Sequence, residues 1–566
     1  MDPAELIAAL SDPRAYPNRP DRVEVRHTHI SAVFLTGDIV YKVKKPVALG
    51  FLDFSTLEKR RHFCEEEVRL NRRLAPTVYR GVVPVVRRGG GLAVEGDGQP
   101  VEWAVKMARL PDDATLLAWL RRGELTADHV TELARRVAAF HALVPPHPPA
   151  PSPTRGEGEE EGLGRSPPSP LVGEGGRGGE GKPAPPPPPA LPQGKKREEI
   201  AAFGRFEIVA GNARENFAQA AGLVGTTVSR AVFNRLRDRT EAILARLRPL
   251  IEARADRGVP RDTHGDLHLD HVYHFPGRPP PDDWVVIDCI EFNERFRYAD
   301  PVADAAFLVM DLKYHGRPDL AAAFAAAYFA AAGDAEGRDL LPFYVAYRAA
   351  VRAKVEGMKL AEAEVPADER AAALAAARAH WLLALGELEE PGRRPMLLLV
   401  GGLPGTGKST LARAVADRAG FKVIRSDVVR KELAGLPPTE RAAAEMYAPE
   451  WTDRTYATCL RRAEALLFDG RRVIVDATFS AEAYRRQFFD LAARLAVPAA
   501  LVVCRADPAA VRARLAARKG DASDADWAVY EDAARRWEEP GADLWDVSTD
   551  TPPDRAAGNV LDRLNR

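Results

Sequence analysis

Residues 402–409 read Gly402-Leu403-Pro404-Gly405-Thr406-Gly407-Lys408-Ser409, a full G-x-x-x-x-G-K-[ST] pattern, with Thr410 directly after it. The chemistry open to such a run is phosphate binding. Its glycines let backbone N–H groups close around a β-phosphate, and a following helix adds the positive end of its dipole. Lys408 would reach the β- and γ-phosphates, and the Ser409 hydroxyl would ligate Mg²⁺. The flanks come in the required order. Met396–Val400 is short and apolar, as a buried strand is, and Thr410–Ala419 is a good helix former stopped by Gly420. ATP with Mg²⁺ is the expected ligand.

A second group of reactive side chains lies upstream. His264-Gly-Asp-Leu-His-Leu-Asp-His271 precedes Trp284-Val-Val-Ile-Asp-Cys-Ile-Glu-Phe292. Phosphoryl transfer to a hydroxyl needs one acid that takes or orients the proton and another that holds the metal. Asp266, in a polar loop, suits the first task. Asp288, closing a β-type run, suits the second.

More candidates surround the glycine loop. Asp427 ends the run Phe421–Asp427 and would orient an acceptor hydroxyl, with Arg430 one helical turn later to hold an anionic substrate. Asp476 ends Val473-Ile-Val-Asp476, the pattern of an acid that reaches Mg²⁺. Arg514 and Arg518, four apart, would share a helix face and close on the γ-phosphate.

These residues need a scaffold, and 566 residues are too many for one core. Short β-type runs at Ala32–Leu35, Ile39–Val43, Val82–Val86 and Trp103–Met107 predict a small sheet, with Thr36-Gly-Asp38 as a hairpin turn. Helical patterns follow at Ser55–Leu74 and Thr126–Leu143, and most of the chain to about residue 386 is Ala-rich and helical. Beyond 392, apolar runs alternate with helical segments, which predicts a parallel sheet with ligands at its carboxyl edge. The resulting organisation is 1–144, a Pro/Gly-rich insertion at 145–197 expected to be disordered, 198–388, and 392–566.

Composition removes several classes. Net charge is −1, from 80 basic and 81 acidic side chains, so nothing global draws the chain to nucleic acid or anionic membrane. Cys64, Cys289, Cys459 and Cys504 are scattered, without C-x-x-C spacing, as suits a reducing compartment. No apolar run approaches the roughly 18 residues of a membrane span. A cytoplasmic location is expected.

The upstream motifs resemble the aminoglycoside phosphotransferase-like family, whose fold is that of protein kinases, with a small β lobe and a helical lobe. That resemblance implies Asp266 as catalytic base, Asp288 as metal ligand, Glu291 as an accessory acid and Asp304 as a brace for the loop. It also implies Lys42, in Ile39-Val-Tyr-Lys42, as the ATP-contacting lysine and Glu67 as its partner. Lys44 lies on the same strand face, so both lysines stay open. The family carries Asn where this chain has His271. Imidazole nitrogen suits softer metals than an Asn oxygen does, so either Asp270 substitutes, Mn²⁺ serves beside Mg²⁺, or this site is impaired.

Residues from about 392 to 560 resemble P-loop kinases related to zeta-toxin, gluconate kinase and the polynucleotide 5′-kinase domain, on Gly402–Ser409, Asp427-Val-Val-Arg430, Asp476-Ala-Thr-Phe479 and Ser523-Asp-Ala525. The resemblance makes Phe421–Asp427 a strand and places Ser548-Thr549 beside the adenine. The expectation is an α+β kinase-like half followed by an α/β P-loop half. Together they would transfer the γ-phosphoryl group of ATP to a hydroxyl of a small molecule, with one site in each half. Two alternatives stay open: a first half that only senses ligand, and a polynucleotide-type end kinase.

Overall fold

The computed structural model describes residues 3–28, 30–49, 52–143, 197–362, 365–518, 520–541 and 544–564. The expected insertion at 145–197 lies outside them, except for Arg197, which opens the short helix Arg197–Ala202.

The N-terminal sheet has six antiparallel strands: β1 (Glu24–His27), β2 (Ser31–Leu35), β3 (Ile39–Lys44), β4 (Tyr79–Arg88), β5 (Gly91–Val94) and β6 (Pro100–Ala108), in the order β1-β2-β3-β6-β4-β5. The expected runs lie inside β2, β3, β4 and β6. Side chains alternate across a strand. Tyr41 and Val43 of β3 therefore enter an apolar cluster with Phe34, Val85 and Tyr16, which leaves Lys42 and Lys44 together on the opposite face. Helix α1 (Leu57–Asn71) covers that face. Its N-cap is Thr56, whose hydroxyl accepts from Lys59 N. Cys64, Glu67 and Asn71, spaced by three and four, turn inward on one buried stripe.

Helices then dominate: α2 (Ala127–Leu143), α3 (Arg230–Asp256), α4 (Pro301–Tyr314), α5 (Pro318–Ala332), α6 (Leu341–Lys359) and α7 (Ala367–Leu388). They enclose a small antiparallel pair, β7 (Val272–His274) with β8 (Trp284–Val286). The loops before and after this pair hold Asp266 and Asp288. The strand expected to end on Asp288 stops at Val286, and Asp288 takes a left-handed φ of 65°, a conformation costly for a non-glycine residue.

The C-terminal sheet comprises β9 (Met396–Gly401), β10 (Lys422–Arg425), β11 (Arg472–Asp476), β12 (Ala499–Arg505) and β13 (Leu544–Ser548), all parallel in the order β10-β11-β9-β12-β13. The near-continuous burial of β9 and β11 is what a sheet covered on both faces demands. Helix α8 (Lys408–Ala419) follows the glycine loop and ends at Gly420. The strand expected over 421–427 is shorter: β10 ends at Arg425, and helix α9 (Ser426–Leu433) takes Asp427 into its first turn. Helix α10 (Pro449–Phe468) packs beside it.

The apolar core does not break between the helices of the first half and the parallel sheet. Trp381, Leu385 and Phe233 belong to one cluster with Val473, Leu467 and Leu501. At its rim Glu389, almost wholly buried, accepts from Arg235 Nη2 (2.9 Å) and Arg239 Nε (2.8 Å), while Arg235 Nη1 donates to Gly470 O (2.9 Å). Gly470 has φ 68°, and a Cβ there would lie 2.9 Å from Val232 Cγ2 and 3.0 Å from Leu385 Cδ2, so only glycine fits this approach.

Candidate functional site

At the carboxyl edge of the parallel sheet, Gly402, Gly405 and Gly407 all hold positive φ, which lets the loop from Leu403 to Thr406 curl back toward α8. Lys408 Nζ donates to Leu403 O at 2.9 Å, so the ammonium spans the loop it belongs to. Burial pushes the Lys408 pKa down, opposed by the Asp476 carboxylate. Ser409 Oγ donates to Asp476 Oδ2 at 2.6 Å. Two hard oxygens side by side, one on the helix and one closing β11, fit Mg²⁺. Burial raises the Asp476 pKa, with Lys408, Ser409 and Arg425 opposing.

Arg425 was not foreseen. Its Nε lies 3.4 Å from Asp476 Oδ2, and its Nη2 lies 3.2 Å from Ser409 Oγ and 2.9 Å from Asp521 Oδ1. It ends β10 at the sheet's carboxyl edge, and that position alone marks it as a ligand-facing residue. Asp427, two residues on, lies within electrostatic reach of Lys408, Asp476 and Arg425. Arg430 is buried; its Nη1 donates to Met446 O (2.5 Å), and its guanidinium lies over the Tyr447 ring. Asp524 joins this wall, accepting from Lys431 Nζ (3.0 Å), Tyr447 OH (2.8 Å) and Ala442 N (2.9 Å).

The expected arginine pair needs correction. Helix α11 (Pro508–Ala517) stops before Arg518, whose ψ of 129° is extended, so Arg514 and Arg518 do not share a helix face. Arg514 Nη2 donates to Thr549 O (2.9 Å) and pairs with Asp550 (3.3 Å). Arg518 Nη1 donates to Ala525 O (3.3 Å) and contributes charge at Lys408. Thr549 Oγ1 in turn donates to Thr406 O (2.5 Å), which fastens the 548–550 loop to the phosphate loop.

The N-terminal residues also come together. Lys42 Nζ reaches Asp288 Oδ1 (2.6 Å) and Glu67 Oε1 (2.9 Å). Lys44 Nζ, fully buried, reaches Glu67 Oε2 (2.8 Å) and Glu291. Burial alone would raise the Glu67 pKa, but the two lysines lower it; at Glu291 burial prevails and its pKa is raised. Asp304 accepts from the backbone N–H of His264 (2.9 Å) and Gly265 (2.8 Å) and pairs with His141 Nε2 (3.1 Å), which fixes the loop carrying Asp266. Burial works to raise the Asp266 and Asp288 pKa values; His268 at the first and Lys42 at the second more than offset it, and both end below the carboxylate range. Burial, with repulsion from His268, lowers His271 to about 4. His268 is a second residue that the sequence reading passed over. Asp-x-His-x-x-His is a metal-ligand spacing and was the available signal.

Over 546 residues the chain is 31% identical to an uncharacterized protein of Mycobacterium tuberculosis strain H37Rv, covering 95% of this chain and 94% of that one, and equally to a protein of Mycobacterium bovis. The chain belongs to the family of these mycobacterial proteins. Within this family member, residues 397–540 match the model described as an AAA domain. The same half is similar to a Sinorhizobium meliloti gluconokinase (21% identity, 31% of this chain, 95% of that chain, TM-score 0.23). It is also similar to the Mycobacterium tuberculosis APS kinase with AMPPNP and APS (19%, 30% and 97%, TM-score 0.24). No helix among the described residues is long and apolar enough to cross a membrane.

Proposed function

We propose that the C-terminal half is an ATP-dependent kinase that transfers the γ-phosphoryl group to a hydroxyl of a small molecule. The observation that carries this reading is the contact of Ser409 with Asp476 beside Lys408, at the carboxyl edge of a parallel sheet. Lys408 supports the phosphates, Ser409 and Asp476 would hold Mg²⁺, Asp427 orients the acceptor hydroxyl, and Arg430 holds an anionic substrate. Arg518 remains the lid candidate, whereas Arg514 serves the 548–550 loop. Mg²⁺, when bound, neutralises charge on the transferring group.

The decisive experiment is Lys408→Ala in the full chain. Removing an ammonium aimed at developing phosphoryl charge lowers ATP turnover by about 10²–10³. Turnover near the wild-type rate would move the principal catalysis to the N-terminal half.

We infer that this half is a protein-kinase-like unit and that the protein is cytoplasmic. The Lys42–Glu67 pair and its link to Asp288 support it. Lys42, partly accessible and facing Asp288, is the better ATP-contacting lysine; Lys44 is sealed against Glu291.

A further inference from the structure

The loop between Thr263 and Val272 gathers more metal-binding chemistry than a kinase-like cleft needs. Ligand atoms of Asp266, His268 and His271 lie within 4.8 Å of one another. His268 Nε2 and His271 Nδ1 are each 3.7 Å from Asp266 Oδ2. Those separations exceed hydrogen-bond length, yet they match a coordination polyhedron: two ligands about 2.1 Å from one ion at a tetrahedral angle stand about 3.4 Å apart. His268 is 8% exposed, and its ring lies 3.8 Å, centroid to centroid, from that of His271.

The surroundings suit such an ion. Ligation through His271 Nδ1 leaves the ring proton on Nε2, which lies 3.6 Å from Asp288 Oδ2. A carboxylate behind the far nitrogen is the ordinary support of a metal-bound histidine. In the free protein His271 Nδ1 donates to Asp266 O (2.9 Å); an ion at Nδ1 replaces that hydrogen bond, and the ring proton then sits on Nε2. Asp304 fastens the start of the loop, and Asp311 accepts from Leu269 N (2.9 Å) at its middle. Arg352, a cation that acts on Asp266, is itself paired with Glu356 (3.4 Å).

We propose that Asp266, His268 and His271 form a site for a borderline divalent ion of the Co²⁺ or Zn²⁺ class, which binds without nucleotide and is supported by Asp288 behind His271. Two imidazoles and one carboxylate select such ions over Mg²⁺, which demands oxygen ligands. An ion there engages Asp266, so proton abstraction by that carboxylate and occupancy of this site exclude each other. The proposal does not rest on phosphoryl transfer by the C-terminal half.

The test uses the full chain carrying Asp476→Asn, which removes the other metal position. After chelator treatment the protein is titrated with Co²⁺ in the absence of ATP, and visible absorption is followed. One equivalent per chain is expected, undisturbed by excess Mg²⁺. His268→Ala and, separately, His271→Asn should weaken binding by about tenfold or more, with thermal melting as the check on folding. His271→Asn supplies the oxygen donor of the resembled family, so it keeps the loop polar if His268→Ala fails to fold. Binding that appears only with ATP, or that survives both substitutions at full strength, overturns the proposal.

Discussion

The guanidinium of Arg425 lies 3.4 Å from the carboxylate of Asp476, on the side where Ser409 presents its hydroxyl. A fixed cation therefore shares the ground that Mg²⁺ would occupy. It compensates a buried carboxylate whose charge would otherwise be costly. Metal entry then has to turn Arg425 outward, toward Asp521, its other partner.

Arg425→Ala is accordingly expected to lower the Mg²⁺ concentration needed for half-maximal ATP turnover. Arg425 is partly exposed, and such a pair is worth about 0.5–1 kcal/mol, or roughly 2- to 5-fold in the Mg²⁺ requirement. Mg²⁺ titration at saturating ATP reads the effect. An unchanged or increased requirement would show that Arg425 assists the metal instead of competing with it.

Arg514→Ala should raise the KM for ATP by roughly 2- to 10-fold, the range of one or two lost hydrogen bonds, and leave kcat within about 2-fold. The reason is its tie to Thr549 and Asp550. Steady-state kinetics decide the matter. A collapse of kcat at constant KM would return Arg514 to the γ-phosphate.

Asp304 provides a pH prediction. Burial acts to raise its pKa, but His141 and the loop N–H groups outweigh burial and set it at about 2, against an ordinary 3.8. A carboxylate depressed on folding contributes stability above its unfolded pKa and loses it as pH falls through the folded one. The contribution, about 2 kcal/mol, is thus present at neutral pH and disappears between about pH 4 and about pH 2. Asp304→Asn should lower stability by that order at pH 7 and flatten the acid limb of the urea-melting profile. An unaltered acid limb would refute the assignment.

Much of the phosphate site was legible because it is local: the glycine loop, its strand and its helix are contiguous, and Asp476 is found by counting along an apolar run. What escaped depends on where elements stop. The resemblance to P-loop kinases carried the second strand to Asp427, whereas the chain enters a helix at Ser426, and so Arg425 was hidden inside a supposed strand. The pairing of Arg514 with Arg518 failed for the same reason, since the helix ends at Ala517, three residues before Gly520, the nearest stop signal in the sequence. Choosing between Lys42 and Lys44 was not possible locally either. They share a face, and what separates them is Asp288, brought in by the fold from 246 positions away.

The Arg235–Gly470 contact has a consequence for how the molecule can be taken apart. Gly470 stands two residues before the strand that delivers Asp476, so a helix of the first half is fastened to the element that aims an acid of the second. Severing the chain after residue 390 would keep Glu389 with its two arginines but take Gly470 O away from Arg235. It would also bare the seam of Val232, Leu385 and Trp381 to water. The halves are articulated like two leaves on one hinge pin, and pulling the pin spoils both.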